Sequence, residues 1–294
     1  MRLSRFFRHR KESDPLASSD IQSVSRSHVG RFRTLNEDRI LDRPNSRLWA
    51  IADGMGGHAA GEVASQMTVD GIKRLLTSED LESPDLEGNA FGAFLGKVLE
   101  SVNQEVWEAG QTPEKQGMGT TCTLAAMRGD QLFLAHIGDS RAYLLRDGEL
   151  HQVSKDHSWV EDAVDQGVIT REQARVHPNR NVITRAIGLD QQPQIDTSVM
   201  ALTVGDLLLL CSDGLNSMIP DEDIHRILKE SPTDAVCGDL IGAANEAGGH
   251  DNTTVVTALL GDALSTGPST QDTLDIQPRL SLWGRVWRFV FRRK

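Results

Sequence analysis

Short apolar runs of strand length recur along the chain, each bounded by polar or turn-forming residues. The clearest are LWAIAD (48–53), TCTLAAM (121–127), QLFLAHIGD (131–139), RAYLLRDGEL (141–150), DLLLLCSD (206–213) and NTTVVTALL (252–260). The tripeptide RGD (128–130) separates two of these runs, and RDGE (146–149) interrupts another, which is typical of β-hairpins. The pattern therefore predicts antiparallel strand pairs.

Two longer stretches have helical period instead. In 90–109 the apolar residues recur three or four positions apart, as they do in 59–76. The apolar positions are Phe91, Phe94, Leu95, Val98, Val102 and Val106 in the first stretch, and Val63, Met67, Ile72, Leu75 and Leu76 in the second. A third stretch, 158–175, has a helical pattern but lies between strands as an insertion. Strand clusters with helical pairs predict a layered α+β domain.

The composition is that of a folded protein with a sizeable core. The chain has 294 residues, of which 38% are hydrophobic and 25% charged, so general disorder is excluded, and one large or two smaller domains fit. We expect no membrane-spanning segment, because no run approaches about 20 apolar residues, and the first residues do not predict a secretory signal. Three scattered cysteines predict neither a disulfide framework nor a zinc site, and the cytoplasm is the expected location.

The net charge of −11 conceals basic ends on an acidic body. Residues 1–11 hold five Lys or Arg and residues 279–294 hold six, with no acidic residue in either segment. Residues 12–278 therefore carry 20 basic against 42 acidic groups, a charge of −22. Such a body repels phosphate backbones, so nucleic acid is not an expected partner.

Soft segments divide the chain. Residues 12–20 and 262–278 are rich in Ser, Thr, Pro, Gly and Asp, as linkers are. The expected organisation is a basic N-terminal segment with its linker (1–20), a folded domain (21–261), a linker (262–278) and a basic aromatic tail (279–294).

Four aspartates lie at the ends of predicted strands. Asp53, Asp139 and Asp213 end their runs, and Asp251 begins the last one. The end of one strand and the start of its antiparallel neighbour lie at the same edge of a sheet, so this topology gathers the four carboxylates. A divalent cation relieves their repulsion, and donors that are all oxygen favour Mg²⁺ or Mn²⁺ over zinc or copper. The alternative is that each Asp simply begins a turn.

Two segments near these aspartates hold further candidates. DGMGGH (53–58) lets the backbone approach an ion or phosphate closely, and His58 is a candidate general acid, or else an ordinary surface histidine. GRFRTLNED (30–38) combines two acids with guanidinium groups that suit bidentate phosphate binding, although taken alone it is also typical of a solvated charge cluster.

Eight motifs in order carry a family resemblance. They are GRFRTLNED (30–38), ADGMGGH (52–58), MGTT (118–121), IGDSRAY (137–143), DHS (156–158), HPNRNVITRAIG (177–188), CSDGL (211–215) and GHDNTT (249–254). With this spacing, over about residues 22–261, the chain resembles the protein phosphatase 2C family of metal-dependent Ser/Thr phosphatases in its compact bacterial form. The resemblance implies a four-layer α-β-β-α sandwich of two antiparallel sheets, with residues 155–195 as a flap beside the active site. The same region is similar to phosphatases that oppose kinases in bacterial type VI secretion.

The resemblance also implies a metal-ligand set. Asp53 matches the residue that bridges two metals, and the Gly54 carbonyl matches a ligand of one of them. Asp213 and Asp251 match ligands of the other metal, and Asp139 matches the carboxylate that, with Asp213, holds a third, weaker one. The cofactor implied is Mn²⁺ or Mg²⁺.

Other matched positions have roles around the metals. Glu37 and Asp38 match acids that act through metal-bound waters. Arg33 matches the phosphate-binding arginine, and His58 the proposed general acid. One departure is His28, where many relatives have Asp, which affects a local contact but not the ligand set.

The implied function is hydrolysis of phosphoserine and phosphothreonine in proteins by a metal-activated water without a phosphoenzyme, opposing a cognate kinase. No Cys-x5-Arg loop surrounds any cysteine, which excludes cysteine-dependent phosphatase chemistry. Three alternatives remain: another two-metal hydrolase such as a phosphodiesterase or nuclease, a catalytically weak or inactive phosphoprotein-binding module, and a scaffold whose terminal segments are the functional part.

The tail is the part of the chain on which the resemblance is silent. On a helical wheel, Arg285, Arg288 and Arg292 share one face, and the opposite face holds Leu280, Trp283, Val286, Trp287 and Val290. Such a helix suits an anionic membrane surface, which residues 2–11 would contact more weakly, or a partner protein. The expected location is then the inner face of the membrane. Docking on the acidic body, or no function, are the alternatives.

Overall fold

Two five-stranded antiparallel sheets form the centre of the protein. The computed structural model describes residues 21–56, 60–86 and 88–261. The strands are β1 Ile21–His28, β2 Arg39–Arg43, β3 Leu48–Ala52, β4 Gly54–Met55, β5 Gly119–Thr120, β6 Cys122–Arg128, β7 Gln131–Ile137, β8 Arg141–Arg146, β9 Glu149–Gln152, β10 Asp196–Ala201, β11 Leu207–Cys211 and β12 Thr253–Leu260. One sheet has the order β1-β12-β11-β8-β9, the other β10-β7-β6-β3-β2, and β4 pairs with β5 separately.

Helices lie on the outer faces of both sheets and in the segment between β9 and β10. They are α1 Ala60–Leu75, α2 Ser78–Glu82, α3 Asn89–Ala109, α4 Trp159–Asp165, α5 Arg171–Arg175, α6 Asp213–Asn216, α7 Asp221–Glu230 and α8 Val236–Glu246, with 3-10 turns at Pro44–Ser46 and Pro113–Lys115. No helix within the described ranges is both long enough and apolar enough to cross a bilayer.

Alternation along the central strands creates three apolar layers. In β3, Leu48 and Ala50 pack with α1 and α3, while Trp49 and Ile51 pack against the other sheet. Side chains also alternate along the strands of the sheet β1-β12-β11-β8-β9. One face of this sheet packs against the sheet that contains β3, and the other packs against α6, α7 and α8. Strands buried on both faces are nearly continuous apolar runs, which is why their sequences were recognisable. The four-layer α-β-β-α sandwich that the resemblance implied is confirmed.

Both predicted hairpins are present. Residues 129–130 join β6 to β7, and residues 147–148 join β8 to β9. Asp147 and Gly148 have φ of 52° and 83°, as a type I′ turn requires at its two central positions. The two predicted long helices correspond to α1 and α3.

Three parts of the chain differ from the expected elements. The stretch 158–175 forms two short helices, α4 and α5, because the chain turns at Gly167, whose φ of 69° is left-handed. The expected loop 77–89 contains α2, which Thr77 and Asp80 begin with a reciprocal capping box. The sequence pattern also did not predict strands β1, β2 and β10, the two-residue strands β4 and β5, or helices α6, α7 and α8. The terminal segments 1–20 and 262–294 lie outside the described residues, so the predicted division of the chain remains a prediction.

Candidate active site

Both sheets contribute to the predicted aspartate cluster. Strands β3 and β7 each pair antiparallel with β6 and so run in the same direction, which places Asp53 and Asp139 beyond the same edge of one sheet. In the other sheet β11 ends two residues before Asp213, and its antiparallel neighbour β12 begins two residues after Asp251. The cluster therefore lies where the edges of the two sheets meet.

The carboxyl groups interact strongly. Burial, followed by repulsion from Asp38, Asp213, Asp139 and Asp251, raises the pKa of Asp53 well above its usual value. Burial and repulsion from Asp213 do the same for the pKa of Asp139. Five carboxyl groups thus share one electrostatic environment, and their mutual repulsion is what a cation would relieve.

Asp38 is the most deeply buried member, with 3% of its surface exposed. The Ser212 hydroxyl donates to Asp38 Oδ2 at 2.9 Å. Burial, only partly offset by hydrogen bonds from Thr254 and Ser212, raises its pKa to about 6. Burial and repulsion from Asp251 also raise the pKa of Asp213 to about 6.

Two carboxylate oxygens of the cluster are buried without a hydrogen-bond partner among the described residues, Asp38 Oδ1 and Asp139 Oδ1. Such oxygens are costly unless a ligand satisfies them. Among the described residues, no three Asp, Glu, His or Cys side chains already stand in the arrangement of a metal site. A donor set made only of oxygen, with partnerless buried carboxylates, fits Mg²⁺ or Mn²⁺.

Threonines of the MGTT motif hold the Asp53 backbone. Thr121 N–H donates to Asp53 O at 2.9 Å, and Thr120 Oγ1 donates to the same carbonyl at 2.8 Å. Asp53 N–H donates to Thr121 Oγ1 at 3.0 Å. Gly54 follows in β4, where a Cβ would overlap the Gly61 and Glu37 carbonyl oxygens, so only glycine allows this approach of α1.

Asn252 fastens the loop 29–37 to the start of β12. Its Nδ2 donates to the carbonyls of Val29 at 3.0 Å and Leu35 at 2.9 Å, and its Oδ1 accepts from Glu37 N–H at 2.8 Å. The sequence assigned no role to Asn252, and the only available signal was its position next to Asp251. This clamp brings the acids of the loop to the aspartate cluster.

Arg33 lies at the rim of the cluster. Its Nη2 donates to Asp251 Oδ2 at 2.7 Å, and half of its side chain is exposed. Glu37 lies between Arg33 and the first turn of α1, and it accepts a hydrogen bond from the Glu62 N–H in that turn. Burial raises the pKa of Glu37. The predicted cation and both predicted acids of GRFRTLNED therefore reach the site.

Two histidines complete the comparison with the predictions. His58 lies outside the described residues, so its role stays a prediction. His28 accepts from Gly30 N–H at 2.9 Å through Nδ1, which makes the departure from the family pattern a local contact.

The DHS motif joins the start of the predicted flap to the turn that carries Asp139. Arg141 donates to both oxygens of Asp156, at 2.9 Å and 2.7 Å. His157 N–H donates to Gly138 O at 2.8 Å, and Gly138 N–H donates to His157 Nδ1 at 3.1 Å. The sequence identified this motif only through the resemblance and gave it no role.

Similar proteins share both the sequence and the fold. A family model described as protein phosphatase 2C matches residues 26–237. The serine/threonine phosphatase Stp of Listeria monocytogenes is 40% identical over 243 residues, which cover 79% of this chain and 92% of that protein.

Solved structures of similar proteins share the fold of this chain. The crystal structure of the Mycobacterium tuberculosis serine/threonine phosphatase PstP/Ppp has a TM-score of 0.75 and 40% identity, covering 82% of this chain and 99% of that one. A structure of the PstP catalytic domain in complex with two manganese ions has a TM-score of 0.71 and 39% identity, with the same coverage. PppA of Pseudomonas aeruginosa, described as a key regulatory component of T6SS, has a TM-score of 0.72 and 36% identity, covering 81% and 97%. The chain therefore belongs to the protein phosphatase 2C family.

Proposed function

We propose that this protein is a metal-dependent protein phosphatase that hydrolyses phosphoserine and phosphothreonine. One observation supports this most strongly: five interacting carboxyl groups, two of them on buried residues, lie in one cluster with an arginine at its rim. Two of the relatives named above, Stp and PstP, are serine/threonine phosphatases, and a structure of the PstP catalytic domain contains two manganese ions.

The ligands we assign are Asp53 and the Gly54 carbonyl for one ion, and Asp53, Asp213 and Asp251 for a second. Asp139 with Asp213 is assigned to a third, weaker site. When bound, Mn²⁺ or Mg²⁺ lowers the pKa of water and neutralises phosphate charge.

The remaining groups bind substrate and move protons. Arg33 has five N–H donors and uses one on Asp251, so others remain for the phosphate oxygens. Glu37 and Asp38 orient water by accepting hydrogen bonds from it, and His58 donates a proton to the departing serine or threonine oxygen. The attack on phosphorus is in line and uses water as the nucleophile.

A cysteine nucleophile is disfavoured by burial of the thiols. Cys122, Cys211 and Cys237 are all buried, and burial raises the pKa of Cys122 to about 12 and that of the other two as well. Buried thiols of high pKa are poor nucleophiles.

A panel of phosphoesters tests the reaction class. With Mn²⁺, we expect hydrolysis of a phosphothreonine peptide and of p-nitrophenyl phosphate, and at least about 100-fold less activity on bis-p-nitrophenyl phosphate and single-stranded DNA. Faster cleavage of the diesters supports the phosphodiesterase alternative, and phosphopeptide binding without turnover supports the binding module.

The basic aromatic tail at 279–294 is proposed to attach the domain 21–261 to an anionic membrane surface through the linker 262–278. Its six basic residues supply about 1 kcal/mol each near such a surface. There the enzyme would reach membrane-associated phosphoproteins and oppose their kinase. The test is co-sedimentation with phosphatidylserine vesicles at low salt, comparing the full chain with a truncation after Gln277. Equal pelleting of both, or of neither, contradicts membrane docking.

A further inference from the structure

An exposed aromatic side chain stands next to the arginine of the site. Phe32 leaves 67% of its surface exposed, although it precedes Arg33 directly. Single exposed apolar side chains are common on protein surfaces, so the position of Phe32 directly before Arg33 matters more here than its exposure alone.

Phe32 is held against a second ring. Its centroid lies 4.7 Å from that of His250, with 30° between the ring planes. We call this pair the Phe32 platform. The tilted contact with His250 covers part of the Phe32 ring and leaves area for another apolar group.

The platform is fixed to the same backbone as the metal-ligand candidates. Arg31 N–H donates to Gly249 O at 2.7 Å. Gly30 has a left-handed φ of 82°, and a Cβ there would overlap the Asp251 carbonyl oxygen. The loop that carries Phe32 therefore packs directly against the segment 249–251. Moving the loop away would break the hydrogen bond and the close backbone contact.

Each residue of the platform directly precedes a residue of the candidate site in the sequence. Phe32 is followed by Arg33, and His250 is followed by Asp251, while Arg33 and Asp251 bond to each other at 2.7 Å. Consecutive Cα atoms are about 3.8 Å apart, so the backbone of the platform residues lies within one or two residue lengths of the backbone of Arg33 and Asp251. A polypeptide whose phosphate is bound by Arg33 would place a flanking side chain near Phe32.

We propose that the Phe32 platform binds a large apolar side chain of the phosphoprotein, close in sequence to the phosphorylated residue. The enzyme then prefers phosphoserine or phosphothreonine flanked by a residue such as leucine. This inference rests on the proposed function, because it names the substrate class of that same site.

The test is a set of phosphothreonine peptides that are polar apart from one leucine, moved from three positions before the phosphothreonine to three positions after it. An all-polar peptide and p-nitrophenyl phosphate complete the set. For the parent enzyme, we expect at least one leucine position to raise kcat/KM about fivefold or more over the all-polar peptide. Phe32→Ala should remove that preference and leave p-nitrophenyl phosphate hydrolysis within twofold.

Two variants serve as controls. Phe32→Leu, which keeps an apolar side chain, should retain most of the preference. Val204→Ala removes an apolar side chain that is 52% exposed at the far end of β11 from Asp213, and should change nothing.

Two results contradict the platform while leaving the phosphatase intact. One is equal activity of the parent enzyme on every peptide, and the other is an equal loss on peptides and on p-nitrophenyl phosphate in Phe32→Ala, which indicates a purely structural stacking role. If the parent enzyme hydrolyses no phosphopeptide with Mn²⁺, the proposed function fails, and the platform fails with it.

Discussion

The Ser212 hydroxyl donates a 2.9 Å hydrogen bond to Asp38 and thereby joins the two sheets at the aspartate cluster. Ser212 follows β11 in one sheet, Asp38 precedes β2 in the other, and the Ser212 oxygen also accepts from Thr254 N–H at 2.9 Å. The bond uses one oxygen of Asp38 and leaves the other buried within the cluster without a partner among the described residues. The fold thus holds acidic groups together at a cost in stability.

The metal-free protein should lose stability at neutral pH because of this crowding. Folding raises the pKa of Asp213 to about 6. As the pH rises, the folded protein therefore keeps the proton on Asp213 after the unfolded chain has released it. The resulting stability is present below the unfolded pKa and is lost as the pH rises through the folded one. Asp213→Asn removes this titration. Relative to the parent, the variant should therefore gain about 1 kcal/mol between pH 5 and pH 7.5, measured by urea unfolding in chelator.

The comparison with the parent at each pH is necessary because buried histidines act in the opposite direction. Burial lowers the pKa of His136 to about 4, so this group reduces stability as the pH falls through its unfolded pKa. His136 is the same in both proteins, and its contribution cancels. A pH-independent difference between variant and parent contradicts the assigned repulsion.

Arg33→Ala should mainly weaken substrate binding. Loss of a charge-assisted bond to phosphate predicts a KM at least tenfold higher, with kcat changed less than about threefold. Steady-state kinetics on a phosphothreonine peptide measure both. Arg31→Ala, which removes an exposed arginine two residues away, is the matched control and should change KM less than twofold. Equal effects of the two variants would mean that only the general positive charge matters.

His58→Ala should harm substrates in proportion to their need for a proton. A serine or threonine alkoxide is a poor leaving group, so kcat on a phosphopeptide should fall about 100-fold. The leaving group of p-nitrophenyl phosphate needs little protonation, so its hydrolysis should fall less than tenfold. His151→Ala, an exposed histidine of β9, is the control. Equal losses on both substrates exclude His58 as the general acid.

Asn252→Ala should destabilise the fold itself. It deprives the Val29 and Leu35 carbonyls and the Glu37 N–H of their partner, which predicts a loss of about 2–3 kcal/mol by urea unfolding in chelator. Metal affinity does not enter under these conditions. Gln22→Ala, at an exposed position of β1, should cost less than about 0.5 kcal/mol. A similarly small loss for Asn252→Ala would show that the clamp contributes little.

The predictable parts of the fold are those in which a local pattern determines burial. Strands such as Leu48–Ala52 and Leu207–Cys211 are buried on both faces, and a short apolar run bounded by turn residues is typical of such strands. Strand Asp196–Ala201 escaped prediction because it lies at a sheet edge with most of its residues partly or fully exposed, so its sequence lacks such a run. Helix α7 begins with three acidic residues and resembles a polar loop in sequence.

In the candidate site, too, some residues can be predicted from the local sequence and others cannot. The aspartates share one local context, the end of a strand, and can be found from the sequence. Asn252, Ser212 and Thr121 act through hydrogen bonds to residues between 42 and 223 positions away or on another strand, and their own neighbours in sequence do not reveal these partners. Long-range polar contacts of this kind depend on the folded topology.

Metal-dependent hydrolysis of a phosphothreonine peptide by the parent and by Asp213→Asn tests the central claim most directly. The account predicts that Mn²⁺ activates the parent, that chelator abolishes its activity, and that the variant retains less than about 1% of the parent kcat/KM while remaining folded by circular dichroism. Activity of the folded variant within threefold of the parent, or parent activity that is unchanged by chelator, would contradict it.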